Sequence, residues 1–130
     1  MPQEIEVILT RQLASSLAMP IFIVDSRGNL IFYNESAEKI LGQRFEETGE
    51  MPAAEWSTKF TPTDEDGTPL SPEMLPLVIA FTQGRPAHRR LWIYGLDNVR
   101  RCIEVTAFPL IGQAERKLGA VAIFWEVKAS

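Results

Sequence analysis

The sequence has little cysteine and histidine, two residue types on which many catalytic sites depend. It contains one cysteine, Cys102, and one histidine, His88, among 130 residues. A single cysteine excludes an internal disulfide and is compatible with a reducing compartment. With one histidine and no glycine-rich phosphate loop, a nucleophile–base pair has few possible members. These absences favour a protein that is not an enzyme.

Long hydrophobic runs and concentrated positive charge are also missing. The apolar runs are strand-sized, well below the ~20 residues that cross a bilayer, and the start, Met1-Pro2-Gln3-Glu4, lacks the basic segment of a signal peptide. We therefore expect a cytoplasmic protein with no membrane partner. The net charge is −4, and the densest basic group, His88-Arg89-Arg90, is too small for a nucleic-acid footprint. Asp64-Glu65-Asp66-Gly67 resembles the start of a calcium loop, and Glu73 has the spacing of its bidentate ligand. However, Pro69, Pro72 and the apolar Leu70 interrupt the loop, so no metal site is expected.

The N-terminal segment, residues 1–18, predicts an amphipathic helix before a domain at 19–128. Its apolar stripe repeats at four-residue spacing and consists of Ile5, Leu9, Leu13 and Leu17. Pro20 ends the pattern. The stripe either covers the core of its own domain or meets a partner helix. We expect the second arrangement, a homodimer, because an exposed stripe of this size would be unusual on a monomer.

The first half of the domain predicts a hairpin followed by helices. Two apolar runs, 21–24 and 30–33, flank a polar loop that contains Gly28. Asn34 is a favoured N-cap for the next helix, and Gly42 is a natural residue to end it. Residues 43–70 have an irregular pattern. A helix starts near Ser71-Pro72-Glu73 and either bends or restarts at Pro76 before it ends at Gly84.

The last third predicts three strands, at 90–94, 101–110 and 118–127. The third is nearly all apolar, so we expect it to be central and covered on both faces. Strands before and after a helical crossing indicate an α+β fold, a five-stranded antiparallel sheet with helices on one face.

Three motifs in this order resemble the PAS sensor domains of bacterial signalling proteins, over roughly residues 12–127. They are Pro20-Ile21-Phe22-Ile23-Val24-Asp25 with Ile31-Phe32-Tyr33-Asn34, Gly67-Thr68-Pro69-Leu70 through Gly84-Arg85-Pro86, and Ala107-Phe108-Pro109-Leu110 with Gly119 to Phe124. The resemblance implies the strand order 2-1-5-4-3, a sensory or signal-relay role, and an attached or separate output domain. Glu126-Val127-Lys128 stands where many members have Asp-Ile-Thr, the segment that joins sensor to output.

The same resemblance bears on cofactors. A flavin photosensor of this family needs a reactive cysteine on a central helix, and a haem-binding member needs a histidine on the long helix. Cys102 and His88 both fall in the predicted β half. We therefore expect neither flavin nor haem.

The domain is rich in large aromatic rings, which either pack the core or line an apolar cavity between helices and sheet. The predicted ligand-pocket residues are Trp56, Phe60, Leu77, Phe81, Trp92, Ile103 and Ile123. A small apolar ligand would suit them. Two other functions stay open at this point: a small cone-shaped α+β hydrolase or isomerase with a buried Asp–His or Tyr–Asp pair, and a ligand-free dimerisation scaffold.

Overall fold

The computed structural model describes residues 19–112, 114 and 116–127. Its sheet consists of β1 (Ile21–Asp25), β2 (Leu30–Tyr33), β3 (Ala87–Tyr94), β4 (Arg100–Ile111) and β5 (Lys117–Glu126). Neighbouring strands are antiparallel, in the order β2-β1-β5-β4-β3. This confirms the predicted sheet and places the apolar β5 at its centre, buried on both faces along most of its length.

The helical segments lie between β2 and β3. They are α1 (Glu35–Leu41), α2 (Phe45–Thr48), α3 (Ala53–Lys59), a 3-10 turn (Pro72–Met74) and α4 (Pro76–Gln83). The two-piece alternative therefore holds at Pro76, where a new helix begins after the turn. Within residues 43–70, whose sequence pattern is irregular, the structure contains the short helices α2 and α3. Each is only one or two turns long, too short for a helical period to show in the sequence. β3 also begins earlier than predicted, since His88 and Arg89 already pair with β4.

Asn34 fixes the junction between the hairpin and α1. Its Oδ1 accepts hydrogen bonds from the backbone N–H of Ala37 at 3.1 Å and of Ile21 at 3.0 Å. Its Nδ2 donates to the carbonyl of Met19 at 2.7 Å. The predicted N-cap is confirmed, and the same side chain also holds the start of β1.

The two faces of the sheet carry separate hydrophobic clusters. The inner face packs against α1, α3 and α4, which contribute buried residues such as Leu41, Trp56 and Leu77. The outer face carries a smaller cluster around Ile23 and Val121, and every described member of it lies on a strand. The predicted N-terminal helix and its stripe lie outside the described residues.

Candidate functional site

An apolar cavity of about 90 Å³ lies between the inner face of the sheet and the helical layer. Its sheet wall is formed by Phe22, Leu91, Ile93, Ile103, Val105, Ala122 and Phe124. Its other wall is formed by Leu41, Trp56, Ser57, Phe60, Pro62, Leu75, Pro76 and Leu77. None of these side chains is charged.

The sheet wall follows from strand register. Successive side chains alternate between the two faces of a strand. Leu91 lies opposite Ile103, and Val105 lies opposite Phe124, so each pair presents its side chains to the inner face. Ala122 is next to Phe124 on that face of β5. Its small side chain leaves space between larger neighbours.

The chemistry of this wall sets which molecules it can hold. Ser57 supplies the one polar side chain among the lining residues. A cavity of about 90 Å³ is well below the ~300 Å³ at which dedicated ligand pockets begin. It therefore suits an uncharged molecule of few atoms, unless the walls move apart.

Trp56 connects the cavity to the turn between β1 and β2. Its ring packs edge-on against Phe22 at 5.6 Å and against Phe81 at 6.3 Å. The indole N–H donates to the carbonyl of Gly28 at 2.7 Å. Gly28 has φ of 86°, and a Cβ there would lie 2.5 Å from the Phe81 ring. The hairpin turn is thus held directly against the helical layer.

Four of the seven predicted pocket residues line the cavity: Trp56, Phe60, Leu77 and Ile103. The placement of the other three is corrected by the structure.

Trp92 pairs with Cys102 on the outer face, where the guanidinium of Arg100 lies 4.1 Å from the centre of its ring. Ile123 pairs with Ile21 and belongs to the outer cluster. Phe81 packs on the far side of Trp56, over Gly28. Ring size had favoured Trp92, whereas alternation along β3 presents its neighbours Leu91 and Ile93 inward. The correct strand register would have identified the lining residues Leu91, Ile93, Val105 and Phe124.

Neither Cys102 nor His88 reaches the cavity. Cys102 is buried on the outer face, and this burial raises the pKa of its thiol. His88 Nδ1 lies 2.7 Å from the Thr106 hydroxyl, and its Nε2 lies 3.7 Å from Glu104, also on the outer face. The cavity therefore holds neither a thiol nor an imidazole.

The acid–base pair that a hydrolase or isomerase would need is not found in the cavity. His88 and Glu104 are both partly exposed on the other side of the sheet. Tyr33 donates to the carbonyl of Gln43 at 2.8 Å, and burial raises the pKa of its phenol. Within residues 19–112, 114 and 116–127, no group of three or more histidine, cysteine, aspartate or glutamate side chains is arranged to hold a metal ion.

The architecture defines a small α+β domain whose helices close one face of an antiparallel sheet around an apolar interior. The sequence profile of the PAS domain family matches residues 9–75, more than half of the chain. The chain belongs to the PAS family of sensory domains. No curated protein sequence matches it significantly.

Solved structures of other proteins share this fold. The chain is similar to the PAS domain of a protein from Colwellia psychrerythraea, with 15% identity, a TM-score of 0.64, and coverage of 94% of this chain and 97% of that one. It is also similar to the PAS domain of nitrogen regulation protein NR(II) from Vibrio parahaemolyticus, with 16% identity, a TM-score of 0.63, and coverage of 92% of this chain and 98% of that one. The LOV protein of Rhodobacter sphaeroides has 13% identity to this chain and a TM-score of 0.73, with coverage of 96% of this chain and 69% of that one. Among the described helices, none is long and apolar enough to cross a membrane.

Proposed function

We propose that this PAS domain senses a small apolar molecule in its inner cavity and relays the occupancy of that cavity to an output domain, attached or separate. The observation that supports this is the uncharged wall, in which Ser57 is the one polar side chain. Such a wall binds apolar surface and gives no affinity for anions. A sensory role without catalysis fits a cavity that holds no acid–base pair.

Flavin and haem are not part of this proposal. Cys102 and His88 are on the outer face, away from the cavity. The expectation of a protein without either cofactor stays a prediction, and an absorption spectrum of the purified protein tests it.

Xenon binding tests the cavity directly, because xenon is apolar and small enough for cavities of this kind. Two buried valines, Val105 and Val121, allow the same change on opposite faces. We expect Val105→Ile, which adds a methylene to the cavity wall, to weaken xenon binding measured by NMR titration. Val121→Ile should leave it unchanged. Absence of xenon binding to the parent protein, or equal effects of both changes, would contradict a ligand cavity.

The outer cluster favours dimerisation as a second role. Ile21 and Ile23 are in β1, which directly follows the N-terminal segment, and both belong to this apolar cluster. That segment carries the stripe Ile5, Leu9, Leu13 and Leu17. Burying one such side chain contributes about 1.5–3 kcal/mol. Two-fold pairing with a second copy would bury the stripe, and two-fold symmetry is the commonest arrangement of homo-oligomers.

Sedimentation of the intact chain tests this pairing. We expect the parent to be dimeric at tens of micromolar and the double variant Leu9→Glu, Leu13→Glu to be monomeric. The control is Gln3→Glu, Gln12→Glu, which adds the same charge at polar positions of the same segment. A monomeric parent, or equal dimerisation of parent and both variants, would show that the stripe is not the interface.

A further inference from the structure

The segment Phe60–Thr63, here called the strap, is both a wall of the cavity and an extension of the sheet. Phe60 and Pro62 line the cavity. The N–H of Tyr94 donates to the carbonyl of Phe60 at 2.8 Å, and Thr63 and Trp92 exchange two backbone hydrogen bonds of 2.9 Å each. The strap therefore covers the free edge of β3 and forms part of the cavity wall at the same time.

Thr61, in the middle of the strap, has an unfavourable backbone conformation. Its φ is 47°, in the left-handed region. A β-branched residue rarely adopts this region, and a following proline restricts a residue to extended conformations. Such strain persists only where the surrounding contacts enforce it. Here those contacts are the hydrogen bonds to Trp92 and Tyr94.

Thr63 adds a second unfavourable feature. The residue is only 8% exposed, and its hydroxyl has no hydrogen-bond partner among the described residues. A buried polar group without a partner destabilises the state in which it is buried. Opening of the strap would expose this hydroxyl to water and release the backbone of Thr61. Both features therefore favour an open strap over a closed one.

We propose that the strap opens as a local unit while the sheet stays intact, and that this opening admits apolar molecules larger than the cavity can hold while the strap is in place. This inference rests on the proposed function, because opening of the strap serves a purpose only if the cavity binds a ligand. Opening breaks the three hydrogen bonds between strap and β3. It leaves the amides of Leu91 and Ile93 bonded to β4, because alternate residues of an edge strand bond in opposite directions. Local openings of this kind occur below the free energy of global unfolding.

Residue-resolved hydrogen exchange of the full chain without ligand tests the opening. We expect the amides of Thr63, Trp92 and Tyr94 to exchange at one common rate, well before those of Leu91 and Ile93. If all five exchange together, only by global unfolding, the strap is a fixed wall and the inference is wrong.

A substitution at the strained residue tests the cause. Asparagine tolerates the left-handed region better than threonine, so Thr61→Asn should slow exchange of the strap amides about fivefold. The matched control is Thr68→Asn, because Thr68 is exposed in the same connection and has no positive φ. Equal exchange in parent and Thr61→Asn, or equal slowing by both changes, would overturn strain as the cause.

Benzene is too large for the cavity while the strap is in place. Its binding therefore tests whether opening of the strap admits ligands. Thr61→Asn should slow both association and dissociation of benzene measured by NMR exchange, and unchanged benzene rates would overturn the strap as the gate. A protein whose strap amides exchange early but which binds no benzene would support the opening and contradict the proposed ligand function. The two failures are therefore distinguishable.

Discussion

The two faces of the sheet are built from the same strands, yet they are finished in different ways. The inner face is apolar around the cavity and is covered by helices, which leave the cavity between Phe124 and Trp56. The outer face is divided. Around Ile23 and Val121 it is apolar, whereas on β3 and β4 it carries a polar network in which His88 and Arg90 each lie 3.7 Å from Glu104.

This difference separates two tasks within one sheet. An uncharged, covered face suits an internal site, because burial without polar partners costs nothing for apolar groups and much for charged ones. A divided face suits contact with a second protein surface, because interfaces combine an apolar centre with a polar rim. Neighbouring residues of one strand can thus serve different purposes, and substitutions at such neighbours measure how different the faces are.

The largest expected effect contrasts Phe124 with Trp125, adjacent residues of β5. Phe124 is 4% exposed on the inner face, and Trp125 is 37% exposed on the outer face. Phe124→Ala should lower the free energy of unfolding by about 3–5 kcal/mol, because it enlarges a buried cavity. Trp125→Ala should cost about 1 kcal/mol or less. Urea unfolding of both variants gives the comparison, and similar losses would mean that the faces are equally buried.

A smaller effect is expected where the hairpin turn meets the helical layer. Gly28 and Gly67 have nearly equal φ values of 86° and 85°, but only Gly28 has neighbours within 4 Å of an added Cβ. Gly67→Ala should lower the free energy of unfolding by about 1–2 kcal/mol, because alanine is less stable than glycine in the left-handed conformation. Gly28→Ala should cost about 1–2 kcal/mol more, because the Phe81 ring must shift. Thermal unfolding of the pair isolates the packing contribution, and equal shifts would show that the turn packs loosely.

The smallest effect concerns the polar contact between α1 and the turn after β3. Arg101 donates to both carboxylate oxygens of Asp97, at 2.8 and 3.2 Å, and to the carbonyl of Ile40 at 2.8 Å. The hydrogen bond from Arg101 lowers the pKa of Asp97 from 3.8 to about 2. The stabilisation is therefore present above about pH 4 and is lost as the pH falls towards 2.

Acid unfolding of Asp97→Asn tests this contact. The parent should be more stable than the variant at pH 6, and the difference should shrink as the pH falls from about 4 towards 2, because the carboxylate is protonated first in the unfolded chain and only near pH 2 in the folded protein. The control is Asp66→Asn, an exposed aspartate in the turn after the strap. A difference for Asp97→Asn that stays constant from pH 6 to pH 2 would show that the variant acts by a route other than charge.

Much of the fold could be predicted because local patterns agreed with the final packing. The unbroken apolar run of β5 predicted a central strand covered on both faces, and the structure confirms it. Asn34 predicted the start of α1, although its bond to β1 joins residues 13 apart and could not be read from local sequence. The short helices α2 and α3 were missed for a related reason, since they are held by tertiary contacts such as the bond from Trp56 to Gly28.

The candidate site was less predictable because it depends on register. The choice between Trp92 and its neighbours Leu91 and Ile93 is decided by pairing across β4, which a single strand does not reveal. On the outer face, Arg100 of the partner strand lies over the ring of Trp92. The strap could not be predicted from the sequence at all, because the strain at Thr61 is a property of backbone angles rather than of residue type.

The central position of β5 has a consequence for how the polypeptide is made. β1 forms its second ladder not with a nearby strand but with β5, across almost the whole domain in sequence. Contacts between such distant segments form slowly, because the entropy of closing a long loop is lost before the contacts stabilise the structure. On the ribosome the hairpin β1–β2 must therefore wait, with its outward edge unpaired, until β5 has emerged. A chain shortened before β5 would not be a smaller version of this domain, because it would leave the hairpin and the β3–β4 pair with no strand between them.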